Sequence, residues 1–152
     1  MSAYGPAAII MLAATIVVYR TGSGIAQQAK QDFQRTVWDG IYTKEQAERG
    51  RTAYLDACAS CHGDDLRGKS TAPSLVEESF AFQWGETSVE ELYVRTRTLM
   101  PSDRPNSLPG QNYCDIIAFI LQSNKFPAGD KELEADVEAL RLILITAKRP
   151  ER

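Results

Sequence analysis

The chain has 152 residues, of which 43% are apolar and 24% charged, and its formal net charge is −3. This length fits one globular domain with short extensions, because single domains usually span about 100–200 residues. The acidic balance argues against a nucleic-acid-binding surface, which needs clustered Lys and Arg side chains to neutralise phosphates.

Residues 1–26 differ from the rest of the chain, since they contain the apolar run PAAIIMLAATIVVY and one charged side chain, Arg20. One interpretation is a signal peptide, with the small residues Gly24 and Ala26 before a cleavage site. The other is a retained membrane anchor over residues 6–25, in which Arg20 snorkels because the apolar run is shorter than the roughly 20 residues that span a bilayer. Both interpretations predict export of the remaining chain to the periplasm, either soluble or anchored to the membrane.

The segment YTKEQAERGRTAYLDAC predicts the first helix of a domain over residues 43–130, after a linker over residues 27–42. Thr43 is placed to cap this helix, and Gln46 three residues later completes a capping-box pattern. Small and apolar residues recur along one stripe of the predicted helix, at Ala47, Gly50, Tyr54 and Ala57.

The stretch CASCHG, residues 58–63, contains two cysteines three positions apart and the only histidine directly after the second. A redox site of the thioredoxin type needs a βαβ context, and a zinc site needs two further ligands. C-x-x-C-H instead is typical of covalent haem c attachment, in which two thiols add to the two vinyl groups of one haem and the following imidazole coordinates iron. We therefore predict one haem c, bound by Cys58, Cys61 and His62.

Met100 is the candidate for the second axial ligand of the iron. The other two methionines lie in the leader, no second histidine exists, and TLMPSDRP predicts that Met100 lies on a loop. The alternative role for Met100 is that of a buried loop anchor. An iron with His and Met ligands has a raised reduction potential and both axial positions filled, which favours electron transfer over chemistry at the iron.

A second long helix is predicted over NYCDIIAFILQS, residues 112–123. It contains Cys114, the leftover thiol, which either packs as a small apolar side chain or serves an intermolecular or regulatory role. Residues 131–152 form a C-terminal extension that mixes an acidic, helix-like start with the strand-favouring LILIT. This extension either wraps around the domain or binds a partner.

The chain resembles the class I cytochromes c, in particular small bacterial monohaem domains. The resemblance is carried by RGRTAYLDACASCHGDDLRGKSTAPSL, a following Trp, and MPSDRPNSLPGQNYCDIIAFILQSNKFPAG, and it covers residues 38–130. It implies an all-α, class I cytochrome c fold with three to five helices wrapped around one covalently bound haem.

The resemblance also implies roles for residues outside the motif. Gly50 and Phe119 match the positions at which the two long helices cross, and Asn106 stands where the family often has Gly. The Pro73 carbonyl matches the acceptor for the Nδ1–H of the haem-ligating histidine, a contact that fixes the ring; the alternative is a simple turn proline. Trp84 matches a Trp near the haem propionates, with core packing as its alternative.

Three classes of function remain. We predict an electron carrier, not an enzyme, that exchanges electrons with redox-partner proteins. The first alternative is a fixed cytochrome subunit of a membrane redox complex, such as a dehydrogenase, an oxidase or a photosynthetic reaction centre. The second is a haem peroxidase or gas sensor, which needs an open sixth coordination position. Four basic residues near the predicted ligands indicate either a basic haem edge or a mixed-charge surface: Arg67, Lys69, Arg104 and Lys125.

Overall fold

The structure, a computed structural model, describes residues 33–70 and 72–151 together with Met1. The predicted leader over residues 1–26, apart from Met1, lies outside the described residues, and so does the first part of the predicted linker. Within the described part of the chain, no helix is both long enough and apolar enough to cross a membrane.

Helices dominate the described residues, which confirms the predicted all-α class. In chain order these helices are α1 (Lys44–Ala57), α2 (Ala59–His62), α3 (Glu77–Trp84), α4 (Val89–Leu99), α5 (Gly110–Ser123) and α6 (Val137–Arg141), and a short 3-10 helix, Val37–Asp39, precedes them. The helices described exceed the predicted three to five because α2 and α6 have only four and five residues. Such single turns are too short for their hydrophobic periodicity to be recognised.

Helix α1 begins where the sequence predicts, because Thr43 caps it. The hydroxyl oxygen of Thr43 accepts a hydrogen bond from the backbone N–H of Gln46 at 3.1 Å. The predicted capping box is wrong, since the buried side chain of Gln46 hydrogen-bonds to Asp115 and Leu133 instead. Three residues of the predicted stripe are buried and the fourth is half-buried: Ala47, Gly50 and Tyr54, and then Ala57.

Helices α1 and α5 cross with their backbones in direct contact at Gly50. A Cβ atom on Gly50 would overlap the carbonyl group of Asp115 and would lie 3.0 Å from the backbone nitrogen of Ile116. This close approach explains a glycine in a helix interior, where it costs about 1 kcal/mol relative to Ala. The Phe119 ring, which the resemblance assigns to the crossing, packs on the Tyr54 ring with the centroids 5.4 Å apart.

A buried polar cluster ties this helix pair to the C-terminal segment. The Gln46 side-chain amide donates to Asp115 Oδ1 at 3.0 Å and to the Leu133 carbonyl at 2.8 Å, and its oxygen accepts from the Leu133 N–H at 2.7 Å. Arg49 Nε donates to the second carboxylate oxygen of Asp115 at 3.2 Å. The buried polar groups of this cluster therefore have hydrogen-bond partners within the protein, as buried polar groups in stable proteins generally do.

A three-stranded sheet joins the start of the described domain to its C-terminal segment. Its strands are β1 (Arg35–Thr36), β2 (Thr87–Ser88) and β3 (Ile143–Ile145). The central strand is β3, which pairs parallel with β1 and antiparallel with β2. Leu140, Ile143 and Ile145 are buried. The C-terminal extension predicted over residues 131–152 therefore packs on the domain as far as Thr146.

The described part of the predicted linker, residues 33–42, also packs into the domain. Val37, Ile41 and Tyr42 are almost fully buried, and the Tyr42 hydroxyl donates a hydrogen bond to the Phe126 carbonyl at 2.6 Å. The packed domain thus begins before the predicted boundary at residue 43. The sequence did not indicate this because the segment VWDGIY is too short to have a helical or strand period.

Cys114 lies in α5 and is fully buried. Desolvation, and then the charge of neighbouring Asp115, raises the pKa of its thiol to about 12. A thiol in such surroundings is inert and packs as a small apolar side chain. Of the two interpretations drawn from the sequence, the structure therefore favours packing.

Replacement of Gly50 tests the helix crossing. We expect Gly50→Ala to lower the free energy of unfolding by at least about 2 kcal/mol, because the added methyl forces α1 away from Asp115 and this overpacking outweighs the gain in helix propensity. The measurement is guanidinium denaturation of the haem-containing protein followed by circular dichroism.

The matched control is Arg51→Gly at the next, exposed position of α1. There glycine replaces a good helix former without any contact to lose, so we expect a loss of about 1 kcal/mol. An unchanged or increased stability of Gly50→Ala would contradict the close crossing.

Candidate functional site

One cavity of about 610 Å³ lies against five of the six helices. Its volume falls within the range of about 300–1,000 Å³ that is usual for cofactor and ligand sites. Every site residue predicted from the sequence lines this cavity: Cys58, Cys61, His62, Pro73, Trp84 and Met100. The fold therefore brings together residues that are up to 42 positions apart in the sequence.

The two cysteines and the histidine reach the cavity because α1 ends at the first cysteine and a new turn begins there. The carbonyl of Cys58 accepts hydrogen bonds from the N–H groups of Cys61 at 3.2 Å and His62 at 3.0 Å. Burial, and then the neighbouring Cys61, raises the pKa of the Cys58 thiol to about 11. Redox-active C-x-x-C pairs have the opposite property, a lowered thiol pKa.

The imidazole of His62 is buried and held in one orientation. Its Nδ1 lies 3.0 Å from the carbonyl oxygen of Pro73. A carbonyl can only accept a hydrogen bond, so Nδ1 carries a proton, and in the neutral ring the lone pair is then on Nε2. Such a contact is typical of metal-ligating histidines, whose second ring nitrogen donates to a carbonyl or carboxylate.

A tight loop brings Pro73 back to His62. The N–H of Gly68 donates to the carbonyl of His62 at 2.7 Å, and the N–H of Leu75 donates to the carbonyl of Leu66 at 2.8 Å. Gly68 has a φ of +80°, and a Cβ atom there would overlap the Ala72 carbonyl oxygen and lie 2.9 Å from the Pro73 carbonyl carbon. Gly68 is thus part of the support for His62, a role that the sequence analysis did not assign.

Met100 follows the last residue of α4 and is half-buried. Its N–H donates to the Thr96 carbonyl at 2.9 Å, which continues the hydrogen-bonding pattern of α4 for one residue. Its carbonyl accepts a hydrogen bond from the Tyr113 hydroxyl of α5 at 3.0 Å. Tyr113 is a further residue that the sequence analysis missed, because the contact depends on how the loop returns to α5.

The cavity walls are mostly apolar and its rim is polar. Side chains from α1, α3, α4, α5 and the loop before α3 form the walls: Tyr54, Leu75, Phe80, Leu92, Ile116 and Ile120. Lys69 and Arg95 contribute positive charge to the lining. The guanidinium carbon of Arg95 lies 5.7 Å from the centroid of the Trp84 ring, in a cation–π arrangement. Trp84 is buried and also lines the cavity, and its contact with the haem propionates stays a prediction.

The residues at the cavity fit a haem. Two thiols and a histidine whose Nδ1 is hydrogen-bonded line the cavity, the walls are apolar enough for a macrocycle, and Lys69 and Arg95 are cations that suit its acidic groups. Among residues 33–70 and 72–151, no three or more His, Cys, Asp or Glu side chains are grouped to hold a metal ion by themselves.

The surface around the predicted haem edge is less positively charged than its four Lys and Arg residues alone would make it. Arg67 forms a two-hydrogen-bond salt bridge with Glu77, at 2.6 and 3.0 Å. Arg104 lies 3.8 Å from the carboxylate of Asp103. Both pairs are exposed, so they reduce the local charge more than they stabilise the fold. Of the two alternatives for this edge, a mixed-charge surface is the one that these contacts favour.

Three comparisons with known proteins bear on identity. The model of the family described as cytochrome c oxidase, cbb3-type, subunit III, matches residues 45–120, half of the chain. A search of curated proteins gave no match. Among solved structures, the chain is similar to one in the crystal structure of the sulfane dehydrogenase SoxCD from Paracoccus pantotrophus, with 22% identity and a TM-score of 0.46. That alignment covers 70% of this chain and 61% of the other.

The family match includes the C-x-x-C-H motif and Met100, and it begins and ends within the two helices that cross at Gly50. It agrees with the helical fold and with a cavity whose lining fits a haem. The chain therefore belongs to this family of c-type cytochromes and carries a class I cytochrome c domain.

Proposed function

We propose that this chain is a one-electron carrier in which a single haem c is attached covalently to Cys58 and Cys61. The observation that carries the proposal is the convergence of both cysteines, His62 and Met100 on one cavity, with His62 Nδ1 occupied by the Pro73 carbonyl. Because Nδ1 is occupied, Nε2 is the nitrogen left for iron.

Each of these residues has a distinct task. Cys58 and Cys61 would each hold the haem through a thioether, because addition of the S–H across a vinyl group forms one carbon–sulfur and one carbon–hydrogen bond with no net oxidation or reduction. His62 and Met100 would hold the iron. When bound, haem supplies iron chemistry that changes the charge by one electron. Because His62 and Met100 together would leave no open position at the iron, we propose that the chain transfers electrons and does not act as an enzyme.

We also assign two residues of the cavity lining, the exposed Arg95 and the buried Trp84, to the acidic groups of the haem. Arg95 brings a guanidinium, and Trp84 brings an indole N–H that has no protein acceptor among the described residues. Charge-assisted hydrogen bonds to carboxylates are stronger than neutral ones. Arg95 and Trp84 therefore fit the role of fixing the propionates, and Arg95 would also offset their charge.

The partners of the chain are proposed to be an electron donor and an electron acceptor in the periplasm, where the apolar N-terminal run would direct the domain. A fixed subunit of a larger redox complex is a second candidate, because the matched family is described as a subunit of an oxidase. Purification of the native full-length protein in mild detergent separates the two. A carrier is expected alone, whereas a subunit is expected together with its complex.

The axial ligand prediction is tested with Met100→Ala. The oxidised wild-type protein should show the weak near-infrared sulfur-to-iron charge-transfer band, and the variant should lose it because no other methionine is found among the described residues except Met1. The variant should also bind cyanide and carbon monoxide at least about a hundredfold more tightly, since no protein ligand competes for the open position.

Val94→Ala, which removes a partly exposed apolar side chain from α4 outside the cavity lining, is the control and should keep the band. A wild-type protein that is already high-spin, with no such band, would contradict the carrier proposal. It would favour the peroxidase or gas-sensor alternative.

Covalent attachment is tested by replacing the cysteines. After denaturation and acid-acetone extraction, the wild-type chain should retain one haem per polypeptide by mass spectrometry, because thioether bonds survive this treatment. A Cys58→Ala/Cys61→Ala double variant should release all of it, and each single variant should keep the haem through one bond.

Cys114→Ala is the matched control, since it removes the third cysteine from a position that does not line the cavity. It should retain one haem. Haem that extracts freely from the wild-type protein, or a mass corresponding to two haems, would refute a single covalent haem c.

A further inference from the structure

The loop that carries Met100 has few contacts of its own to hold it in position. With Met100 at its start, it runs over residues 100–109 between α4 and α5, and residues 102–107 are all exposed. Pro101 is buried and Leu108 packs partly against the core. Little apolar area is therefore buried by the loop, and segments of this kind open more easily than helices and strands.

Hydrogen bonds hold the far part of this loop to α4. The side chain of Arg97 donates from Nε to Asn106 Oδ1 at 2.7 Å, and the N–H of Asn106 donates to the Arg97 carbonyl at 2.9 Å. Asn106 has a φ of 58°, the left-handed conformation that Asn tolerates. These contacts fix the exposed tip of the loop but do not reach Met100.

A single buried hydroxyl joins the two ends of the loop. Tyr113 Oη donates to the Met100 carbonyl at 3.0 Å and accepts from the N–H of Leu108 at 3.4 Å. Tyr113 is only 1% exposed. Tyr113 lies on α5, the helix whose backbone contacts Gly50, so the hydroxyl belongs to a rigid element. The Met100 carbonyl, in contrast, belongs to a loop with few other contacts.

We infer that Tyr113 is a positioning residue for Met100: its hydroxyl closes the base of the loop and thereby sets how often the methionine sulfur leaves the iron. The inference rests on the proposed axial role of Met100. Without the hydroxyl, the Met100 carbonyl and the Leu108 N–H lose their shared partner, and the open form of the loop becomes more populated.

The test is Tyr113→Phe in the full, haem-containing protein, with cyanide as the probe of the open sixth position. An external ligand binds only the fraction of molecules in which the methionine has left, so its apparent affinity rises in proportion to that fraction. Loss of both hydrogen bonds of the hydroxyl, of which the 3.4 Å contact with Leu108 is the longer, predicts cyanide binding to the oxidised variant that is about fivefold to tenfold tighter than to the wild type.

Tyr42→Phe is the matched control. Tyr42 is also a buried tyrosine whose hydroxyl donates to a backbone carbonyl, but that carbonyl belongs to Phe126, which, unlike Met100, does not line the cavity. It should lose similar stability in denaturation and leave the cyanide affinity within about twofold of the wild type. Equal cyanide affinities for Tyr113→Phe and Tyr42→Phe would overturn the positioning role.

The cyanide measurements distinguish failure of the positioning role of Tyr113 from failure of the proposed function. If Met100→Ala tightens cyanide binding and Tyr113→Phe does not, only the positioning role fails. If neither variant changes cyanide binding, axial ligation by Met100 fails as well.

Hydrogen exchange on the wild-type protein keeps the inference testable should Tyr113→Phe not fold. The Leu108 amide follows an exposed stretch, yet it should exchange slowly because it donates to Tyr113. Cyanide displaces the methionine, so it should raise the exchange rate of the Leu108 amide at least about fivefold. An unchanged rate would mean that the sulfur leaves without opening the base of the loop, which contradicts the positioning role.

Discussion

The backbone contact between α1 and α5 at Gly50 determines where the rest of the site lies. No side chain separates the two helices there, since a Cβ atom on Gly50 would overlap the carbonyl group of Asp115. Because the crossing is fixed, the end of α1 delivers Cys58 to the cavity, while α5 supplies the wall residues Ile116 and Ile120. The first turn of α5 supplies Tyr113, whose hydroxyl donates a hydrogen bond to the Met100 carbonyl. Both proposed axial ligands therefore depend on one helix pair.

A hydrogen bond to a backbone carbonyl then holds each of the two proposed ligands. The Pro73 carbonyl accepts from Nδ1 of His62, and the hydroxyl of Tyr113 donates to the Met100 carbonyl. The first hydrogen bond orients the imidazole of His62, and the second holds the backbone of Met100. The apolar walls between them provide a low-dielectric site, in which such hydrogen bonds are stronger than in water. This arrangement suits a carrier, which benefits from an iron environment that changes little when an electron is gained or lost.

The sequence predicts the centre of the site better than its support. Cys58, Cys61 and His62 form a short local pattern that the sequence shows directly. Met100 is predicted because the domain contains no other methionine and no second histidine, so this prediction also needs no knowledge of the fold. Tyr113 and Gly68 act through contacts that form only after the loops close. Likewise, Gln46 matched a local capping box, but its amide bonds to Leu133, 87 positions away. The sheet escaped prediction because its strands have only two or three residues, too few to show an alternating pattern.

The central claim is that His62 and Met100 together hold one iron at this cavity. X-ray absorption at the iron edge of the oxidised full-length protein tests it most directly, because sulfur and nitrogen neighbours scatter differently. The account predicts one sulfur atom in the coordination shell of the iron, with nitrogen atoms in all other positions. A shell made only of nitrogen and oxygen atoms, or one with an empty sixth position, would contradict it.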